Sequence, residues 1–353
     1  MQKPTTLAPP ANKRAMASGN RKIVLLAALV GSLVLTALTV WAGYAWMTLP
    51  AGDTNTVTVI DIPPGMSLKK TAQTLEDDKI IRSALSFRLL AYLEKKSNKV
   101  RIGEYALSPN MPPAEILRKI TSGQTVPHPV TIPEGYRIAE IAEHLSNKGL
   151  VRKDKFLEQV RNPEFLKYLA IPADTLEGYL FPDTYHFSKY TDETVVIRTM
   201  LESFRKTVLL PEFLRRAREL NLSFHQVVTL ASLIEKETGR REERPLIASA
   251  FHNRLKKKML LQTDPTVIYA LPGFDGNLRK KDLSYDSPYN TYKYPGLPPG
   301  PIASPGKESM QAALYPATTD YLYFVSKQDG THYFSANLQE HNNAVAKYQL
   351  HKH

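Results

Sequence analysis

Two glutamates, Glu235 and Glu237, stand near the end of the run Val227-Val228-Thr229-Leu230-Ala231-Ser232-Leu233-Ile234-Glu235-Lys236-Glu237-Thr238-Gly239. Apolar residues recur there at i, i+3, i+4 and i+7, and Gly239 supplies a stop, so the run predicts a helix. At about 100° per residue, Glu235 projects between Ala231 and Val228, inside the apolar arc, and Lys236 projects the opposite way into solvent. A carboxyl held against an apolar face has its charged form destabilised, so it keeps a proton nearer neutral pH. That suits bond cleavage by proton donation. Glu237 also falls inside the arc, on its far edge beside Leu230 and Leu233, and the wheel alone does not choose between the two. A helix-end glutamate that simply escapes to water is the plainer alternative.

Three further segments of the carboxy-terminal half combine aromatic, amide and carboxyl groups with Gly and Pro. Leu176 to Tyr185 contains Glu177, Tyr179 and Phe181 around a Gly and a Pro; Gln262 to Tyr269 sets Gln262, Asp264 and Tyr269 about Pro265; Tyr289-Asn290-Thr291-Tyr292 precedes the rigid strip Gly296 to Ile302. Aromatic faces stack on the apolar faces of sugar rings, and amides and hydroxyls pair with sugar hydroxyls. Each loop alone reads more readily as structure than as function; with an acid on the helix they suggest a cleft for an extended polysaccharide. Gln262 and Asn290 are candidates for N-acetyl and hydroxyl contacts, Tyr269 and Tyr292 for stacking, and Ser232, one turn before Glu235, for orienting its carboxyl. Asp264 and Glu177 are candidates for the second carboxylate that a hydrolytic mechanism needs, although Asp264 before Pro265 also reads as a helix N-cap. The histidines lack metal-ligand spacing, and no cofactor is called for.

The elements that must position these groups begin with an anchor. Ile23 to Gly52 carries no charge, and Ile23 to Leu49 is rich in Leu, Val, Ala and Trp, long enough to span a bilayer at about 1.5 Å per residue. Lys3, Lys13, Arg14, Arg21 and Lys22 precede it without an acid, which orients residues 1–22 to the cytoplasm and the rest outside. A cleaved signal peptide is the rival, with Gly43-Tyr44-Ala45 a poor cleavage site. Of the net charge of +12, five units lie in the first fifty residues. The mild excess beyond them suits an anionic wall polymer or lipid headgroups and does not imply nucleic acid. Zero cysteines exclude thiol nucleophiles and leave an exported chain to core packing for its stability.

The chain also repeats itself at an offset of 70 residues. Ile62-Pro63-Pro64-Gly65-Met66-Ser67-Leu68 becomes Ile132-Pro133-Glu134-Gly135-Tyr136-Arg137-Ile138, and Ala72 and Leu75 become Ala142 and Leu145. Each copy predicts a short strand (57–60 and 130–132), a Pro-x-Gly turn and an amphipathic helix. In the first copy a second helix follows over 83–95 and a strand over 103–107; a further helix is expected over 114–121, then a linker over Pro127 to Pro129. The unit resembles LysM-type modules that bind N-acetylglucosamine polymers. A duplicated building block without a ligand is the alternative.

Longer strings carry a second resemblance. Leu230 to Glu237, Asn253-Arg254-Leu255 with Leu261 to Val267, Tyr289 to Tyr292, Gly296-Leu297-Pro298-Pro299-Gly300, Tyr321 to Val325 and Glu340-His341-Asn342 resemble, in order, the YceG-like family of membrane-anchored endolytic murein transglycosylases. The resemblance puts the family's catalytic glutamate on Glu235. It implies non-hydrolytic cleavage of the β-1,4 bond between N-acetylmuramic acid and N-acetylglucosamine, with one carboxyl acting first as acid and then as base to leave a 1,6-anhydro end. The expected organisation is α+β: a cytoplasmic tail (1–22), a transmembrane helix (23–49), a LysM-like module (51–125) and a catalytic domain (126–353) holding a second LysM-like repeat (130–160). Expected partners are peptidoglycan strands, the plasma membrane and murein synthases. A glycoside hydrolase and a wall-binding scaffold without activity are the competing readings.

Overall fold

A computed structural model describes residues 13–168 and 170–350, with side chains from Ile23 onward. It divides into two units, Met1–Val126 and Pro127–His353.

The first unit opens with helix α1 (Lys13–Thr48), of which Ile23–Thr48 is long and apolar enough to cross a membrane. Strand β1 (Thr58–Ile62), helices α2 (Leu68–Asp77) and α3 (Ala84–Leu93), strand β2 (Gly103–Leu107) and helix α4 (Pro113–Ser122) follow. β1 and β2 pair antiparallel with Ile60 opposite Tyr105. Ser67 and Ser83 start the two helices, each accepting a hydrogen bond from a backbone N–H in the first turn, as N-caps do. Ile62, Leu75, Phe87, Tyr105 and Ile116 fill a core of the unit's own, and the Tyr105 hydroxyl donates to the Arg101 and Ile120 carbonyls.

The second unit begins with a similar chain order, one helix longer. β3 (Pro127–Thr131), α5 (Ile138–Asn147), α6 (Lys153–Gln159) and α7 (Pro163–Tyr168) lead to β4 (Thr184–Ser188), which returns to pair antiparallel with β3. The prolines expected to form a linker are therefore part of a strand; a two-stranded ribbon has a free edge that tolerates them. Ala72, Leu75, Ala142 and Leu145 are all fully buried, so the sequence repeat encodes matching core positions. Gly65 and Gly135 share a left-handed φ near +80°, a conformation that the absence of a Cβ makes cheap.

The rest of the unit surrounds one helix. α8 (Glu193–Val208) and α9 (Pro211–Glu219) precede α10 (Phe224–Glu237), and α11 (Arg244–Lys256), α12 (Asp264–Ala270), α13 (Lys307–Leu314), the hairpin β5 (Tyr323–Ser326) and β6 (His332–Ser335), and α14 (Leu338–Val345) complete it. Ser223 and Gln226 close a capping box at the start of α10. Every residue from Val227 to Ile234 is buried, so the middle of the helix has no solvent face. The single apolar arc expected from periodicity is replaced by enclosure on all sides, chiefly against α11, α12 and α13.

Candidate active site

The two glutamates of α10 meet different surroundings. Glu235 is enclosed, its side chain 6% exposed. Its Oε1 accepts from Arg244 Nη2 at 2.9 Å and its Oε2 from the Gly306 amide at 3.0 Å. Arg244, itself buried, also donates to Glu308 at 3.1 Å and to Glu134 at 3.2 Å. Burial raises the pKa of Glu235, and the Gly306 amide and Arg244 are among the groups that pull it back. Glu134 belongs to the turn of the second repeat. That turn is tied down by paired backbone bonds between Gly135, Tyr136 and Ser304, and by Lys236 Nζ on the Gly135 carbonyl.

Glu237 ends the helix on another side. Its carboxyl accepts a hydrogen bond from the Thr263 hydroxyl. Burial pushes its pKa up to about 7; the Thr263 bond and Arg254 oppose the rise and the charge of Asp264 adds to it. Glu237 lines a cavity of about 540 Å³ together with Arg254, Gln262, Asp264, Tyr292, Tyr323, His341 and Asn342. Tyr292 donates its hydroxyl proton to Asp264 Oδ1 at 2.5 Å. The Arg254 guanidinium lies 5.1 Å from the Tyr323 ring centroid and donates to the carbonyls of Leu261 and Leu322. His341 stacks on the Tyr323 ring with centroids 5.1 Å apart, and its Nδ1 is buried without a hydrogen-bond partner. Gln262 holds a left-handed backbone, φ +50°, a conformation costly for a residue with a Cβ and concentrated at functional sites.

Of the residues singled out in the sequence, Gln262, Asp264 and Tyr292 thus gather around Glu237. Ser232 does not reach the Glu235 carboxyl: its hydroxyl donates to the Thr229 carbonyl and accepts from the Ile302 amide, clamping the proline strip onto α10. Asn290 is fully buried and braces its own loop through the Leu283 and Tyr285 carbonyls and the Tyr292 amide. Thr263, not Asp264, is the N-cap of α12. Glu177 and Tyr269 form a separate group: buried Glu177 accepts from the Ile138 amide at 3.0 Å and burial lifts its pKa to about 7, while half-buried Tyr269 packs against Tyr289 and under the Arg137 guanidinium.

Sequence reasoning overlooked Arg244, Glu134, Gly306 and Thr263. Glu134 left a trace as the acid standing where the first repeat has Pro64, and Thr263 as part of the Gln262 to Tyr269 segment. Arg244 and Gly306 join the site through packing, from nine and 71 residues away from Glu235.

The chain is similar to known proteins along most of its length. The YceG-like family matches residues 60–347. A Bacillus subtilis protein named endolytic murein transglycosylase is 38% identical over 315 residues, covering 84% of this chain and 86% of that protein. A Streptococcus pneumoniae protein of the same name is 30% identical over 321 residues, covering 82% of this chain and 58% of that longer protein. The crystal structure of a YceG-like protein from Listeria monocytogenes superposes with a TM-score of 0.57 at 37% identity, over 82% of this chain and 99% of that one. With a match spanning both units, the chain belongs to the YceG-like family.

Proposed function

We propose that this protein is an endolytic murein transglycosylase and that Glu237, in place of the Glu235 expected from the resemblance, is its acid and base. The observation that carries the choice is the setting of Glu237: a carboxyl whose pKa is about 7, lining a cavity with Asp264 and Tyr292. A group that must give and then retake a proton works best with a pKa near the working pH. Glu235, by contrast, has both oxygens committed to Arg244 and Gly306, partners that favour its charged form. It serves as a positioning residue that holds the end of α10.

In the proposed reaction Glu237 donates its proton to the glycosidic oxygen as the bond from C1 of the muramic acid breaks. The resulting carboxylate takes the proton of the C6 hydroxyl while that oxygen closes on C1. No water is consumed, and the products are a 1,6-anhydro end and a free 4-hydroxyl. Arg254 and the Tyr292–Asp264 pair border the space in which the cation-like centre develops. Asp264 in the same cavity also supports a second reading, a hydrolase in which it serves as the second carboxylate.

The finer organisation follows the same proposal. α1 is a single-pass anchor with its N-terminus in the cytoplasm, residues 51–125 form a LysM-like module, and residues 126–353 carry out the chemistry outside the membrane, beside strand-polymerising synthases. Digestion of purified peptidoglycan with wild type, Glu237→Gln and Glu235→Gln, read by mass spectrometry of new chain ends, tests it. Ends lighter by one water that vanish in Glu237→Gln and persist in Glu235→Gln support the assignment. The reverse pattern returns the role to Glu235, and ordinary reducing ends make the enzyme a hydrolase.

A further inference from the structure

Helix α3 is apolar on both faces. Ala84, Phe87, Leu90 and Ala91 enter the core of the first unit, while Leu85 (72% exposed), Leu89 (46%), Tyr92 (73%) and Leu93 (56%) point outward. Positions 85, 89 and 92 lie at i, i+4 and i+7 and so share one face. A helix that is hydrophobic all round is normally enclosed, and a cluster of protruding leucines marks a contact surface. Leu85, Leu89 and Tyr92, with Met66, Leu68 and Val100, edge a groove of about 880 Å³.

Charge and position identify the occupant. Lys69 and Arg88 line the groove, and Lys95, Lys96 and Lys99 follow directly after α3, against the single acid Glu94, which is paired with Lys96. The groove also continues into the end of α1. Trp46 and Met47 line a recess with Ile81, Phe87 and Ser86, and Ser86 belongs to the groove as well. Arg82 Nε donates to the Pro50 carbonyl at 2.7 Å, and the Gly52 amide to the Pro109 carbonyl at 3.0 Å, so the chain leaving α1 is held to the module without a free linker.

We propose that this face of the first unit rests on the surface of an anionic phospholipid bilayer, the one α1 crosses. Leu85, Leu89 and Tyr92 enter the boundary between headgroups and acyl chains, and Lys69, Arg88, Lys95 and Lys99 meet the phosphates. The proposal rests on reading α1 as a membrane span. Interfacial binding of this kind combines buried apolar area with cationic attraction to acidic lipid. A saccharide is the less suitable occupant: among the groove's lining residues Asn98 is the only amide and there is no carboxylate, whereas sugar hydroxyls call for several such paired groups.

The natural absence of cysteine permits a direct test with the full chain in vesicles of mixed zwitterionic and anionic phospholipid. Leu89→Cys, Tyr92→Cys and, on the exposed polar side of α2, Gln73→Cys are each labelled with an environment-sensitive fluorophore. The native Trp41 and Trp46 report insertion of α1. Brominated lipid should quench the tryptophans and most of the emission from positions 89 and 92, leave position 73 bright, and quench positions 89 and 92 less when the anionic lipid is omitted. Quenched tryptophans with positions 89 and 92 still open to aqueous iodide would overturn the proposal while leaving the span intact. Shielding of positions 89 and 92 that appears only on adding soluble glycan strands would overturn it in favour of a saccharide groove. Tryptophans that brominated lipid fails to quench would remove the span and the proposal together.

Discussion

Glu235 and Glu237 are separated by about 200° around one helix, and that rotation sends one into an ion-pair network and the other into a cavity. The raised pKa of Glu237 has two measurable consequences. As the proposed acid it must be protonated at the start of the cycle, so kcat/KM is expected to fall as pH rises through about 7, a limb that a pH–rate profile on soluble glycan strands would reveal. Its folded-state pKa also lies above its ordinary value of 4.5, so the folded protein holds a proton that the unfolded chain releases. Stability from this group is therefore complete below about pH 4.5 and is lost as pH rises through 7. Glu237→Gln removes that loss and is expected to stabilise the protein at pH 8, relative to wild type, by up to about 3 kcal/mol, with the difference shrinking toward pH 4 in denaturant titrations. Arg244 behaves oppositely. Arg244→Met leaves the Glu235 carboxyl buried without its counter-ion and is expected to cost about 3–5 kcal/mol; adding Glu235→Gln in the same chain should recover part of that loss.

At the scale of elements, the candidate site depends on how tightly loops close over α10. The strip around Pro301 passes so near the 176–185 segment that a Cβ on Gly178 would stand 2.4 Å from Pro301 Cβ, at a backbone φ of +83°. Gly178→Ala is thus expected to destabilise by more than about 1 kcal/mol and to lower Tm, whereas Gly65→Ala, with the same φ but open space around it, should cost only the backbone term. The contrast isolates steric closure from conformational preference. The repeated strand–turn–helix unit shows the same dependence on context. In the first copy its turn carries Pro64; in the second, Glu134 and Gly135 of the equivalent turn hold Arg244 and Lys236, so a duplicated block became a brace for the end of α10.

At the scale of the molecule, each unit has a hydrophobic core of its own, and α1 is the long apolar helix among the described residues. Deleting residues 1–50 is expected to turn an association with the membrane that survives high salt into one that high salt disrupts, while cleavage of purified peptidoglycan persists. Fractionation followed by the same digestion assay checks both halves of that expectation. Loss of cleavage in a folded, soluble fragment would show that the anchor contributes to the chemistry beyond locating it.

Periodicity and repetition are legible in the chain by itself. The charge-free run from Ile23, the paired core positions at Ala72, Leu75, Ala142 and Leu145, and the helix ending near Glu237 depend on neighbours a few residues away, which a sequence displays directly. The site is legible there only as a set of strings. Gln262, Asp264 and Tyr292 can be picked out by type, but Ser232 and Asn290 are of the same types and are spent on bracing loops. The proposed choice between two glutamates on one helix rests on Arg244, Gly306, Thr263 and Asp264. These arrive from nine to 71 residues away, and the burial and charge they impose act through space; that part only the tertiary structure decided.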